Sequence, residues 1–204
     1  MTNKKILTFA TLIALLISIT GGFIVYADLT QRLDIKGSAD FVPQSWKINF
    51  KADSLNSSLT GMASIIKDPL LTDTMISDYE VALVREGDSV TYTFEIANTG
   101  SIDAKLTTFS LGIPSCTGTE GATKNDDENI VCGSNLTYTL KYVSGDLASN
   151  GLVAGNNISV GDNLKSLTTV KVALELGFSS SATQLPKNTV TIDNLDTYLI
   201  YSAE

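Results

Sequence analysis

The most constraining feature of this sequence is a strict alternation of side chains between residues 90 and 96. Large apolar residues stand at Val90, Tyr92, Phe94 and Ile96, and polar or small residues fill the positions between them. Successive side chains of a strand point to opposite faces, so this period of two predicts a strand with one buried and one solvated face. The Asn-Thr-Gly-Ser stretch at 98–101 then predicts a turn.

The same pattern recurs along the chain. Clean alternation stands at 136–142 and 170–176, and weaker strand signals stand at 33–35, 46–50, 61–66, 79–83, 104–111 and 189–202. After residue 28 no segment has a long helical period, and only a short helix is predicted, at 147–153. Many short strands separated by turns predict an all-β fold, a single antiparallel β-sandwich of the jelly-roll or immunoglobulin-like type. Long loops are predicted at 113–131 and 144–163.

The N-terminal segment has the marks of an export signal. Lys4 and Lys5 precede a weakly polar to apolar run from 6 to 27, and Val-Tyr-Ala at 25–27 fits the small-residue rule for cleavage between Ala27 and Asp28. The run is also long enough to span a bilayer, so an uncleaved membrane anchor is the alternative. The sequence therefore divides into a signal peptide or anchor helix at 1–27 and a single domain at 28–204.

Charge restricts the partners. The net charge of −8 becomes −10 when the two lysines of the signal are removed. An acidic exported domain is not expected to bind nucleic acid, nor an anionic membrane surface by charge. Contact with a membrane is expected only through residues 6–27, if they remain attached.

The two cysteines, Cys116 and Cys132, bracket a loop rich in Gly, Asn and Asp. Both follow the signal, so they would meet an oxidising environment, and we expect them to form a disulfide. Two thiols in a chain without histidine do not complete the usual four-ligand zinc shell.

No convincing catalytic constellation is present, and the chain is expected not to be an enzyme and to need no cofactor. The absence of histidine removes serine–histidine and cysteine–histidine catalysis and the common zinc-hydrolase motifs. The acidic stretch at 125–129 leaves two readings open, a calcium site and a solvated loop, and it lacks the spacing of a calcium-binding motif.

Six aromatic residues stand at alternating strand positions. They are expected in the core rather than along a ligand groove; they are Trp46, Phe50, Tyr92, Phe94, Tyr138 and Tyr142.

The order of several features resembles one family. Gly21-Gly22 precedes Tyr26-Ala27, a Trp-Lys-Ile-Asn-Phe strand follows at 46–50, Gly-Asp-Ser-Val stands at 87–90, and a closing strand covers 195–201. This order resembles the TasA/camelysin-like exported proteins of Firmicutes, which a SipW-type signal peptidase processes. The resemblance implies a jelly-roll-like sandwich that builds extracellular matrix fibres.

An assembly of this kind has a simple physical route. An unpaired sheet edge accepts another strand, and residues 28–41, with apolar Leu29, Leu33 and Ile35, would be a free donor segment after cleavage. Repeated head to tail, such contacts form a filament. The alternative is that residues 28–41 pair within their own domain or stay disordered.

The predicted function is therefore a structural subunit of a bacterial cell-surface or biofilm matrix fibre. Its partners would be copies of itself or related matrix subunits, with a signal peptidase during export. The alternative function is a monomeric cell-surface adhesin or ligand-binding module that uses the loops at 113–131 and 144–163 as its binding face.

Overall fold

The structure is a computed structural model, and it describes residues 43–204. Strands dominate this part of the chain. The predicted signal or anchor at 1–27, the cleavage site at Ala27–Asp28 and the donor residues Leu29, Leu33 and Ile35 lie outside the described residues. Within residues 43–204, no helix has both the length and the apolar character needed to cross a membrane.

Fourteen strands and one α-helix occur between Pro43 and Glu204. In chain order they are β1 (Ile48–Phe50), β2 (Asn56–Thr60), β3 (Ser64–Lys67), β4 (Leu70–Leu71), β5 (Ile76–Ser77), β6 (Glu80–Ala82), β7 (Ser89–Asn98), β8 (Ala104–Leu111), β9 (Ser115–Gly118), α1 (Lys124–Cys132), β10 (Leu136–Gly145), β11 (Asn163–Leu164), β12 (Thr168–Phe178), β13 (Val190–Asp193) and β14 (Thr197–Ala203).

The first layer is a five-stranded antiparallel sheet built on the three segments with the clearest alternation. Its order is β1-β7-β12-β10, and β2 also pairs with β7. The β12–β7 ladder is continuous from Thr168 opposite Asn98 to Gly177 opposite Ser89. Every second side chain along β7, β12 and much of β10 is buried, as the period of two requires.

The second layer is assembled from shorter pieces. A three-stranded sheet has the order β11-β8-β14, and three two-stranded pairs, β13–β9, β3–β6 and β4–β5, are separate from it. Apolar residues of both layers form one core, in which Leu106 and Leu164 of the second layer join Phe94 and Val172 of the first. The predicted antiparallel, mainly β architecture is therefore confirmed for the described residues.

The segment at 113–131 differs from the predicted plain loop. It contains β9 and most of α1, which ends at Cys132. The helix escaped prediction because its sequence, Lys-Asn-Asp-Asp-Glu-Asn-Ile-Val-Cys, has no apolar face of helical period. The predicted loop at 144–163 is largely irregular, and a single 3₁₀ turn at Ala148–Asn150 lies inside the predicted short helix.

The aromatic residues follow the core prediction with one exception. Tyr92, Phe94, Tyr138 and Tyr142 are buried, and the ring of Phe50 packs edge-on against that of Phe94 with centroids 5.2 Å apart. Trp46 is instead 43% exposed and precedes β1. The prediction was wrong for Trp46, which lies ahead of the first residue of β1, Ile48, and opposite the turn that follows β7.

Candidate functional site: a groove between strand edges

A groove runs across the second layer, and we call it the edge groove. One wall consists of residues 74–85, which include β5 and β6, and the other consists of residues 185–199, which include β13 and the start of β14. The floor is the inner face of the first layer, where β12 contributes Leu174, Leu176 and Phe178.

The wide part of the edge groove is a cavity of about 550 Å³. Residues 79–85 line one side of it, residues from Leu185 to Ile192 line the other, and Val131 of α1 and Phe178 of β12 also contribute to the lining. Most of these side chains are apolar, and the polar groups at the rim include Arg85 and Asn188.

The narrow part is a cavity of about 110 Å³. Met75 and Ile76 form one wall, Thr197 and Leu199 form the other, and Leu174 lies on the floor together with Phe50, Phe94 and Leu140. Leu174 and Phe178 are four positions apart on β12, which corresponds to about 13 Å at the rise of a strand. The two parts therefore follow one another along β12.

Strands that pair on one side only line the walls of this groove. Among the described residues, β14 pairs only with β8, β13 only with β9, and β6 only with β3. The backbone at the start of β14 is committed to the β8 side, where Gly112 N donates to Asp196 O at 2.7 Å. The opposite edges carry backbone groups that need a partner, water or another strand.

A bridge of two tyrosines separates the wide part from the narrow part. Tyr79 Oη donates to Leu195 O at 3.2 Å and lies 3.3 Å from Tyr138 Oη. Tyr138 Oη also bonds Leu195 O and lies 2.9 Å from Thr197 Oγ1. Burial, with the neighbouring Tyr138 phenol, raises the pKa of Tyr79, so this hydroxyl keeps its proton.

One wall is fastened by the carboxylate of Asp88, whose side chain is fully buried. Its oxygens accept hydrogen bonds from Met62 N at 2.8 Å, Val84 N at 2.7 Å and Arg85 N at 3.1 Å. Burial raises the pKa of Asp88, but these bonds outweigh that effect and hold the pKa below its ordinary value. Gly61, at φ +70°, allows this approach, because a Cβ there would lie 2.2 Å from Asp88 Oδ1.

The opposite wall is fastened by a second buried carboxylate, Asp127 of α1. It accepts hydrogen bonds from Lys187 N at 2.8 Å, Asn188 N at 3.2 Å and Thr123 Oγ1 at 3.0 Å. The bond from Lys187 N has the largest effect on the pKa of Asp127, and the net shift is downward. The helix thereby holds the segment that leads into β13.

The predicted disulfide ties the same wall together. Cys116 of β9 and Cys132 at the end of α1 are bonded, with a Cα–Cα distance of 5.9 Å. Glu128 Oε1 accepts a hydrogen bond from Gly118 N at 2.9 Å, so α1 contacts β9 at a second point.

The acidic stretch at 125–129 is therefore part of a helix. Asp127 and Glu128 already accept hydrogen bonds from the protein, and residues 43–204 contain no group of three or more side chains placed to hold a metal ion. The sequence analysis considered Asp127 only as part of a calcium site or a solvated loop, and Asp88 only as part of the 87–90 segment. It did not predict that either carboxylate is buried, because a buried and a solvated aspartate have the same signature in a turn-rich sequence.

No protein-family model, curated protein or solved structure matches this chain.

Proposed function

We propose that the chain is an exported structural subunit of a bacterial cell-surface or biofilm matrix fibre. In this proposal the edge groove of one copy accepts residues 28–41 of another copy as an added β-strand. One observation carries the proposal: strands that pair on one side only line both walls of a groove with an apolar floor. An incoming strand would satisfy backbone groups and cover apolar surface at the same time.

The donor segment has the pattern that such a groove requires. Leu29, Leu33 and Ile35 are all odd-numbered, so in an extended chain they lie on one face. The side chains on the other face include Arg32 and Asp34, which suit solvent. Leu33 and Ile35 would stand about 7 Å apart along a strand, which is the spacing between successive floor residues of β12.

The proposal extends to the type of sandwich. A five-stranded sheet and a three-stranded sheet contribute to one core, and three two-stranded pairs are separate from both. An added strand beside β14 would extend the smaller sheet toward the jelly-roll or immunoglobulin-like sandwich predicted from the sequence. Because the donor and the acceptor are different surfaces, the contact is heterologous and propagates as a filament.

Export and a non-enzymatic role belong to the same proposal. The disulfide is typical of proteins outside the cytoplasm, and cleavage by a signal peptidase between Ala27 and Asp28 would free the donor segment. The two buried carboxylates, Asp88 and Asp127, are occupied by backbone hydrogen bonds, which supports a structural role for them.

The test compares two purified chains, one from Asp28 to Glu204 and one from Pro43 to Glu204, by electron microscopy and light scattering. Filaments are expected only from the longer chain. Within the longer chain, Leu33→Asp is expected to abolish filaments, whereas Arg32→Asp places the same side chain on the other face and is expected to preserve them. Monomers from the longer chain under all conditions would reject strand donation.

The ligand-binding alternative has one observation in its favour. The wide part of the edge groove, at about 550 Å³, has the volume of a small-molecule pocket. Under this alternative both chains stay monomeric, and a library of peptides and glycans yields a ligand that Leu176→Trp, which fills the groove floor, displaces. N-terminal sequencing of secreted material would show separately whether residues 1–27 are removed.

A further inference from the structure

The edge groove is interrupted where Tyr79 crosses it from one wall to the other. We propose that Tyr79 is a latch, which holds the groove divided in the free subunit and releases the Leu195 carbonyl when a strand is inserted. This inference rests on the strand-acceptor function proposed above. The inference concerns the opening of the acceptor groove, a step that the proposed function does not specify.

The position of the contact is the first argument. Tyr79 and Leu195 line the wide cavity, whereas Ile76 and Thr197 on the same two walls line the narrow one. The hydrogen bond from Tyr79 Oη to Leu195 O, at 3.2 Å, therefore joins the walls between the two cavities. A strand long enough to use both cavities has to pass this point.

The backbone on each side of the contact is the second argument. Asp78 and Asn194 directly precede Tyr79 and Leu195, and both have left-handed conformations with φ 62°. Residues with a Cβ adopt this conformation at a cost, which Asp and Asn bear better than most. A return of either residue to the extended region would swing the neighbouring latch residue, so each wall has a hinge beside its half of the contact.

The chemistry of the contact is the third argument. Leu195 O accepts from both Tyr79 and Tyr138, and Tyr138 retains Thr197 Oγ1 at 2.9 Å as a further partner. When Tyr79 leaves, the Leu195 carbonyl therefore keeps the hydrogen bond from Tyr138. A backbone N–H of the incoming strand would replace the hydrogen bond from Tyr79. Opening thus costs about one hydrogen bond rather than leaving a buried carbonyl orphaned.

The test measures seeded filament elongation by the chain from Asp28 to Glu204, with wild-type filament fragments as seeds. Tyr79→Phe keeps the ring, which packs 5.4 Å from that of Tyr92, and removes the latch bond together with the 3.3 Å contact to Tyr138 Oη. Elongation is expected to be about five-fold faster, which corresponds to one hydrogen bond of about 1 kcal/mol. Tyr142→Phe removes the hydroxyl of a tyrosine that lines neither cavity and whose Oη donates to Asp162 Oδ2 at 2.9 Å, and it is expected to leave the rate unchanged.

Hydrogen exchange on the unmodified protein tests the latch without any variant. In free subunits, amides 76–80 and 194–197 are expected to exchange faster than those of β12, and in filaments they are expected to become protected. Equal or slower elongation by Tyr79→Phe, or the same exchange at these amides in both states, would overturn the latch while strand donation stands. Absence of filaments from both wild type and Tyr79→Phe would overturn both proposals, and filaments from Tyr79→Phe alone would support both.

Discussion

The two layers of this protein solve the problem of sheet edges differently. In the first layer, the central strands β7 and β12 are 10 and 11 residues long and pair along nearly their whole length. In the second layer, strands of two to eight residues are divided among four separate sheets. The comparison shows that the first layer is built on a long continuous ladder, whereas the second consists of short strands, most of which pair on one side only and line a groove with an apolar floor.

The walls of the groove stay apart because each is fastened from behind. Asp88 accepts hydrogen bonds from two backbone N–H groups just after β6 and from Met62 N ahead of β3, and Asp127 accepts two from the backbone that leads into β13. Both carboxylates are buried, so their bonds are shielded from water. Short strands thereby keep a defined position without a continuous ladder.

The largest predicted effect is a difference in stability loss between core substitutions in the two layers, because the layers are packed differently. Phe94 is 2% exposed in the first layer, and Phe94→Ala is expected to lower the free energy of unfolding by about 4 kcal/mol. Ile192→Ala, in the half-buried wall of the edge groove, is expected to cost about 1 kcal/mol. Urea unfolding measures both, and equal losses would contradict the view that only the first layer is closely packed there.

A smaller effect is expected from the disulfide. Replacing Cys116 and Cys132 together by serine is expected to cost about 3 kcal/mol by chain-entropy reasoning, since the bridge closes a short loop. Hydrogen exchange should rise at 115–118 and 190–193 while the β7–β12 ladder stays protected. Reduction of the wild-type protein is the control, and a uniform rise across both layers would show that the bridge supports the whole fold rather than one wall.

The next effect concerns the fastening of the opposite wall. Asp88→Asn places an amide among backbone donors and is expected to lower the free energy of unfolding by about 2 kcal/mol, because N–H groups lose their acceptor. Asp53→Asn makes the same change at an exposed position and serves as control. Exchange at amides 62, 84 and 85 should rise selectively, and unchanged protection there would exclude this role for Asp88.

The smallest predicted effect is a change in the pH dependence of stability, which appears only in acid. The pKa values of Asp88 and Asp127 lie below 3.8 in the folded state, so their ionised forms stabilise the fold at any pH above that value. This contribution falls as the pH drops below 3.8 and through the folded-state pKa values. Unfolding curves between pH 5 and 2 should therefore be less pH-dependent for Asp127→Asn than for wild type, and parallel curves would contradict the assignment.

Some parts of this architecture were predictable and others were not. Alternation identified the strands around Phe94, Tyr138 and Val172, because half-buried strands impose a period of two on their sequences. The pairing of Cys116 with Cys132 followed from their number and the oxidising context. Helix α1 and the structural roles of the two buried aspartates were missed, because they depend on partners that a local pattern does not reveal. Asp127 holds the backbone at Lys187, 60 positions away, and Asp88 holds that at Met62, 26 positions away.

The sequence by itself determined the antiparallel, two-faced strands, since the alternation of apolar and polar residues within each strand shows which side is buried. It also determined the cysteine pair. Only the tertiary structure decided where edges remain unpaired: the meeting of β6, β13 and β14 around the floor of β12 depends on strand order and on loops held by distant carboxylates. Local side-chain patterns report burial, whereas a groove arises from the arrangement of several segments, which no single segment encodes.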